Sequence, residues 1–162
     1  MTRAAGLLLL TITTVTAQPK FEDYPVIEVF RGTPAAPILA TAEQRTYRTR
    51  IRNGVAAGAG PNFAGHYFVI SFGCGSNCAT MAMVDARTGE VHGPPMSRRP
   101  NELHVPLDAM GPMEIDFHRQ SSLMVLRNAC MAGRTECGVY YFNWKNGRFD
   151  LVKRILANIS IG

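Results

Sequence analysis

The 162-residue chain lacks the sequence signatures by which most enzymes are recognised. It contains no phosphate-cradling glycine loop, no G-x-S-x-G nucleophile turn and no Rossmann fingerprint. Its four histidines show neither H-x-H nor H-E-x-x-H spacing, which excludes the zinc sites that can be read directly from a sequence. We therefore expect no cofactor and no bound metal.

Long apolar runs are equally scarce. The one candidate, residues 4–10, follows the basic residue Arg3 and is much shorter than the roughly 20 apolar residues of a membrane-spanning helix. Small or neutral residues at 15–17 match a signal-peptidase site, so residues 1–17 are predicted to be a cleaved secretory signal peptide. The mature chain would then lie in the periplasm or outside the cell, without a transmembrane segment.

Charge is sparse and only mildly basic. The formal net charge is +5, and residues 1–17 hold one base, Arg3, and no acid, so the mature chain carries +4. A charge of this size is typical of a solvated surface and does not indicate nucleic acid. We expect an unidentified envelope ligand or protein as partner, and no nucleic acid.

The chain has only four cysteines, in a C-x3-C and a C-x6-C arrangement. An oxidising compartment favours disulfides over a zinc site. Three pairings are open. A long-range bridge would stabilise by about 4 kcal/mol in the chain-entropy model, against about 2 to 2.5 kcal/mol for each local one. Geometry nevertheless favours Cys74–Cys78 and Cys130–Cys137, because each of these pairs flanks a hairpin turn.

The most ordered pattern lies in residues 61–91. Residues 66–72 alternate between two apolar faces, as a strand does: Phe68, Ile70 and Phe72 on one, Tyr67, Val69 and Ser71 on the other. A short turn at 74–78 leads into a second run at 79–84, and a further turn at 85–89 precedes residues 90–92. This predicts a three-stranded antiparallel meander.

A similar order of strand, cysteine, loop, cysteine, strand and glycine turn recurs in residues 122–152, with Asn146-Gly147 as the hairpin signal. The proline-rich residues 18–40 are predicted to be an extended lead-in with a short edge strand at 26–30. Thr41 and Gln44 form a capping box that starts a helix. We therefore predict one α+β domain over residues 41–162, mainly antiparallel sheet built from two disulfide-stapled β-meanders, with one N-terminal helix packed on it.

Three residues are candidates for acid–base chemistry. His66 opens the central strand, and Asp85 and Asn62 would lie nearby if the strands pair as predicted. The alternative is a structural histidine that hydrogen-bonds to the chain. Tyr140 and Trp144 belong to an aromatic strand; they are core residues unless they share an exposed face, where they would form a ligand or glycan platform.

The motif N-F-A-G-H-Y, followed by G-C-G-S-N-C, V-D-A-R-T-G-E-V and C-G-V-Y-Y-F-N-W, resembles an uncharacterised family of small exported proteins of Gram-negative bacteria. The resemblance covers roughly residues 37–152. It implies export and disulfides and brings no activity with it.

Two functions fit these observations. The first is a non-catalytic, disulfide-stabilised binding or envelope-associated module, since no catalytic set is assembled in the sequence. The second is a hydrolase that uses His66 and Asp85 as an acid–base pair.

Overall fold

The computed structural model describes residues 17–75, 78–95, 103, 108–131 and 136–157. In these residues the chain forms a single 3-10 turn (Phe21–Asp23), two short helices and two antiparallel sheets. The helices are α1 (Ala42–Thr46) and α2 (Arg48–Ala56); the strands are β1 (Tyr67–Gly75), β2 (Cys78–Asp85), β3 (Val91–His92), β4 (Asp108–Phe117), β5 (Leu123–Met131), β6 (Glu136–Lys145) and β7 (Arg148–Leu156). The strand orders are β1-β2-β3 and β4-β5-β6-β7. The predicted α+β class with mostly antiparallel sheet is confirmed.

The first sheet is the meander expected around residues 66–92. Tyr67 pairs with Asp85 and Phe72 with Thr80, while β3 pairs with the end of β2. Tyr67 and Val69 pack into one core, and Phe68 packs into another on the opposite face. The predicted alternation is therefore confirmed, because each face of this sheet has its own apolar covering.

The second sheet has four strands, one more than the sequence pattern indicated. β6 lies between β5 and β7 and pairs with both, and the predicted Asn-Gly turn joins β6 to β7. Asn146 and Gly147 have φ of 53° and 75°, the left-handed values that this tight hairpin turn requires. The additional strand, β4, precedes the repeat at 122–152 in the sequence and pairs with β5.

One predicted disulfide is present. Cys130 and Cys137 lie directly opposite each other on β5 and β6, with their Cα atoms 3.9 Å apart, and their sulfurs are bonded. The Cys130–Cys137 prediction is confirmed. The side chains of Cys74 and Cys78 lie outside the described part of the structure, so the second pair remains a prediction.

The two sheets pack face to face around a shared core. Met81 and Met83 of the first sheet meet Met124, Leu126 and an aromatic row of β6 from the second. Alternate residues of each strand enter this core, as in a β-sandwich. The remaining buried members are Phe63, Ala64, Tyr67, Val69, Ala129, Tyr140, Phe142 and Trp144.

The outer face of the first sheet is covered by helices. Thr41 and Gln44 form the predicted capping box at the start of α1. The single predicted helix is wrong in detail, since the chain breaks between α1 and α2 at Tyr47, whose φ and ψ of −93° and 14° are not helical. The Tyr47 ring lies against Phe72, 5.0 Å between centroids, and joins the cluster around Ile51. The packing of Tyr47 on the sheet thus accompanies a break in the helix at this residue.

The lead-in, residues 18–40, closes the remaining face. Phe21 and Tyr24 pack on the outer face of the second sheet, whereas Phe30 joins the cluster beneath the helices. The prediction of an edge strand at 26–30 is wrong. The Val26 N–H donates to Gln120 O (3.1 Å) and the Phe30 N–H donates to Gly65 O (2.9 Å), so this main chain is bound to turns and not to a neighbouring strand.

The turn at Ala64 and Gly65 connects the lead-in with both sheets. The Ala64 and Gly65 N–H groups donate to Ser121 O (3.2 Å) and Arg119 O (2.7 Å), in the connection between β4 and β5. Ala64 and Gly65 have φ of 43° and 79°, so the chain makes two successive left-handed residues here. A Cβ on Gly65 would overlap the carbonyl oxygen of Glu28. Glycine is thus required both by conformation and by the close approach of the lead-in.

We predict that Gly65→Ala lowers the free energy of unfolding by more than about 3 kcal/mol, because it adds steric overlap to left-handed strain. Gly147→Ala is the matched control. Gly147 has a similar φ of 75°, but no described atom lies within 4 Å of a Cβ placed there, so about 1–2 kcal/mol is expected. Urea unfolding of both variants measures the difference. Equal losses would show that the approach of Glu28 contributes nothing.

Candidate functional site

A cleft of about 510 Å³ opens where the lead-in meets the ends of both sheets. We call it the His66 cleft. Residues 25–28 line one wall, Ala64, His66, Tyr67 and Arg87 line the second, and Ser122 with residues 144–147 lines the third. Its lining therefore comes from five separate parts of the chain, which only the folded structure brings together.

His66 lines this cleft, and Asp85 lies next to His66 but is not itself among the residues that line the cleft. His66 Nε2 is 3.7 Å from Asp85 Oδ2, and the two side chains are 21% and 12% exposed. The turn after β2 holds the carboxylate in place, because Asp85 Oδ1 accepts a hydrogen bond from the Arg87 N–H (2.7 Å). The predicted proximity of these two residues thus matches the geometry, although His66 precedes β1 and is not its first residue.

The imidazole of His66 is held in its neutral form. Burial lowers its pKa from the ordinary 6.5, and this effect prevails over the nearby Asp85 carboxylate, which raises the pKa; the Arg87 guanidinium lowers it further. A hydrogen bond to the main chain of Ala64 also fixes the ring. A neutral imidazole offers one donor and one acceptor. Because the donor is used by Ala64, the acceptor nitrogen is the one that can take a hydrogen bond from a ligand at neutral pH.

An aromatic row continues from His66 into the sandwich core. The ring of His66 lies 4.3 Å from that of Tyr67, Tyr67 lies 5.3 Å from Trp144, and Trp144 lies 5.1 Å from the fourth ring, His92. The hydroxyl of Tyr67 also hydrogen-bonds to Trp144, and burial raises the pKa of Tyr67. The floor of the cleft is therefore made of packed aromatic rings, and the one polar contact inside it is that between the Tyr67 hydroxyl and Trp144.

His92 was not a candidate from its sequence, and it is the most buried histidine among the described residues. Its Nδ1 has no hydrogen-bond partner in the described part of the chain, and its Nε2 lies 3.8 Å from Glu90 Oε2. Burial lowers the pKa of His92 more than Glu90 and Asp85 raise it. This ring is consequently buried in its neutral form, because a charged one would lack sufficient hydrogen bonds.

The side chain of Asn62 hydrogen-bonds to β1 and is not part of the His66–Asp85 pair. Its side chain accepts from the Val69 N–H (2.7 Å) and donates to Val69 O (3.2 Å), as a neighbouring strand would do. Both functional ends of the amide are occupied by this pairing. Asn62 therefore positions β1, and only the backbone of the following residues connects it with His66.

Tyr140 and Trp144 do not form an exposed platform. Tyr140 is completely buried in the sandwich core, where its hydroxyl donates to Glu136 O. Trp144 is also a core residue, but part of it borders the His66 cleft. Of the two alternatives from the sequence, the core position is the one found, because the shared face of these two rings is the inner face of the second sheet.

No hydroxyl or thiol among the described side chains hydrogen-bonds to His66. Ser122, the serine that lines the cleft, donates to Asn143 Oδ1 (2.7 Å) and lies 3.5 Å from Tyr24 O. Nor do three metal-binding side chains come together anywhere in the described ranges. Among the described residues, the His66–Asp85 pair therefore has no protein nucleophile bonded to its imidazole.

Sequence reasoning missed the charged residues at the rim of the cleft. Arg87 Nη2 lies 3.2 Å from Glu28 Oε2, linking the turn after β2 with the lead-in. The side chain of Lys145, at the tip of the β6–β7 hairpin, makes no hydrogen bond or ion pair within the described residues. Glu28 and Arg87 are 59 residues apart, and no local pattern could have paired them.

No protein-family model, curated protein or solved structure matches the chain. The resemblance to exported Gram-negative proteins therefore remains a prediction. Within the part of the chain that the structure describes, no helix is long and apolar enough to cross a membrane.

We predict that the protein loses stability as the pH falls below 6.5. Because folding lowers the pKa values of His66 and His92, the unfolded chain binds more protons in this range; the stabilisation is complete above 6.5 and declines towards the folded pKa values. Urea unfolding midpoints between pH 8 and pH 5 measure it. His92→Gln should reduce this dependence, leaving the share of His66. A variant with an undiminished slope would contradict the assignment to His92.

Proposed function

We propose that the protein is an exported binding module that holds a small polar ligand in the His66 cleft. The observation that carries this proposal is the neutral His66, with Asp85 beside it, at a concave, aromatic-floored cleft where no described hydroxyl or thiol bonds to the histidine. Clefts of a few hundred Å³ with a few convergent polar groups are typical of small-molecule sites.

The chemistry of the cleft favours a particular ligand class. His66 can accept one hydrogen bond, so a ligand with a hydroxyl or amine donor fits this side, and Asp85 next to His66 adds negative charge there. Lys145 supplies a positive charge at the rim that no described side chain pairs, which favours an acidic group on the same molecule. Tyr67 and Trp144 provide an apolar floor. A saccharide-sized acid with one apolar face meets all three requirements.

Export and disulfides are part of the same proposal. Residues 1–17 have the pattern of a signal peptide, and the Cys130–Cys137 disulfide suits an oxidising compartment. We propose that Cys74 and Cys78 form a second disulfide at the first hairpin. Such covalent links would hold the two sheets rigid around the cleft outside the cell.

The alternative is a hydrolase in which water is the nucleophile. One observation favours it: the pKa of His66 is lowered, so its imidazole is neutral and could take a proton from water near Asp85. This reaction requires no serine or cysteine. His66 and Asp85 would then catalyse hydrolysis of the bound molecule, whereas the binding module only holds it.

We predict that acidic mono- and disaccharides such as glucuronate change the fluorescence of Trp144, which is the only tryptophan in the chain and borders the cleft. Lys145→Ala and His66→Gln should each weaken binding at least about tenfold, the effect of losing one charged or buried hydrogen bond. His66→Gln should lower the free energy of unfolding by only about 1–3 kcal/mol.

Arg52→Ala serves as a control, because Arg52 is exposed on α2 and lies outside the cleft lining. Its affinity should equal that of the unaltered protein. Turnover of a glycoside or ester by the unaltered protein, lost by about 100-fold or more in a folded His66→Gln variant, would replace the binding proposal with the hydrolase. An unchanged affinity in both cleft variants would contradict the site.

A further inference from the structure

A second concavity, of about 620 Å³, lies apart from the His66 cleft, with which it shares no lining residue. We call it the Arg31 groove. The lead-in forms one wall through Phe30, Arg31 and Pro34, and the last turn of α2 with the loop at 58–61 forms the other. Phe68 and Arg119 complete it. The groove is therefore bounded by four separate segments and has the size of a single small ligand.

The charge of the groove has one sign. Arg31 and Arg119 are the only ionisable residues among its described lining, and both are cationic. Arg31 makes no hydrogen bond or ion pair in the described part of the chain. Arg119 donates from one guanidinium nitrogen to Phe30 O (3.2 Å), and no other hydrogen bond of its guanidinium is formed within the described residues. The same two arginines also border an adjoining cavity of about 640 Å³, where Glu22 is the single carboxylate among the described lining.

The rest of the lining is apolar or lacks side chains. Phe30 and Val55 present hydrocarbon surface above the buried ring of Phe68, and residues 58–60 are Gly-Ala-Gly. A Cβ on Gly58 would come within 3.3 Å of the Phe68 ring, and Gly60 has a φ of 102° that side-chain-bearing residues rarely adopt. The short side chains of this loop thus keep the groove open.

We propose that the Arg31 groove binds a free, single-chain anionic amphiphile: a carboxylate or phosphate group on an apolar chain. The planar guanidinium groups of Arg31 and Arg119 match the oxygens of either head group, and charge complementarity favours it because no described carboxylate competes in the groove. The apolar chain lies along Phe30 and Val55, over the buried ring of Phe68.

The orientation of the ligand follows from the helix. Val55 and Ala56 belong to the last turn of α2, whose carbonyl end carries the negative end of the helix dipole. The anionic head is therefore directed towards the arginines and the apolar chain towards α2. A free molecule is favoured over a bilayer because the groove is concave and enclosed between segments, whereas a bilayer presents a broad surface.

The test uses decanoate and decyl phosphate below their micelle concentrations, with isothermal titration calorimetry on the full mature chain. Both should bind once per chain. Decanol lacks the charge and acetate lacks the chain, so each should bind at least about tenfold more weakly. Arg31→Glu should weaken decanoate binding by at least about tenfold, while Arg52→Glu, which makes the same charge change on exposed α2, should alter it by less than about twofold.

A second variant tests the apolar part of the groove without changing charge. Ala59→Phe adds a ring to the exposed wall formed by residues 58–60 and should also weaken decanoate binding, with folding checked by circular dichroism. His66→Gln should leave decanoate affinity unchanged, so this proposal and the one for the His66 cleft can fail separately.

Three results would overturn the proposal. Equal affinity for acetate and decanoate would reduce the site to a simple anion contact. Equal losses in Arg31→Glu and Arg52→Glu would assign the binding to net charge. Binding to vesicles of anionic phospholipid without any binding of decanoate would make the face a membrane contact and not a ligand groove.

Discussion

The structure depends on a turn of two left-handed residues, Ala64 and Gly65. The main chain here donates to the β4–β5 connection, and Gly65 O accepts from Phe30 in the lead-in. The next carbonyl, that of His66, accepts from Ala86 after β2 (2.8 Å). Three parts of the chain are thus joined within three residues. Because a side chain at Gly65 would overlap Glu28, the tight approach of the lead-in is possible only with glycine at this position.

This junction also explains where the His66 cleft lies. His66 follows the turn directly, so its ring is fixed by the main chain at Ala64 and faces Asp85 across the first strand pair. The lead-in, held at Phe30 and Val26, supplies one wall, and the hairpin that follows Trp144 supplies another. A binding site at a junction of segments can be rigid without being large, since each wall is held by a different part of the fold.

Much of the fold was predictable because it follows from local chemistry. Alternation in residues 66–72 placed Tyr67 and Phe68 on opposite faces, Thr41 indicated the start of α1, and Asn146-Gly147 indicated the last hairpin. The Cys130–Cys137 pair followed from its position across that meander.

The site was less predictable. His66 and Asp85 pair because neighbouring strands place them together, but Trp144 and Glu28 reach the cleft through sheet-on-sheet packing and the path of the lead-in, which no local pattern specifies. The same packing buries Tyr140, whose exposure was an open question in the sequence.

The central claim is that the Ala64–Gly65 turn unites the lead-in and both sheets into one cooperative unit. Native-state hydrogen exchange of the amides of Phe30, Gly65 and Ala86 tests it most directly, with amides of β5 and β6 as the reference. The account predicts that all three exchange only through global unfolding, with the same free energy as the amides of the sheets and the same dependence on denaturant. Exchange of Phe30 and Gly65 through a local opening of much lower free energy, while β5 and β6 stay protected, would contradict it.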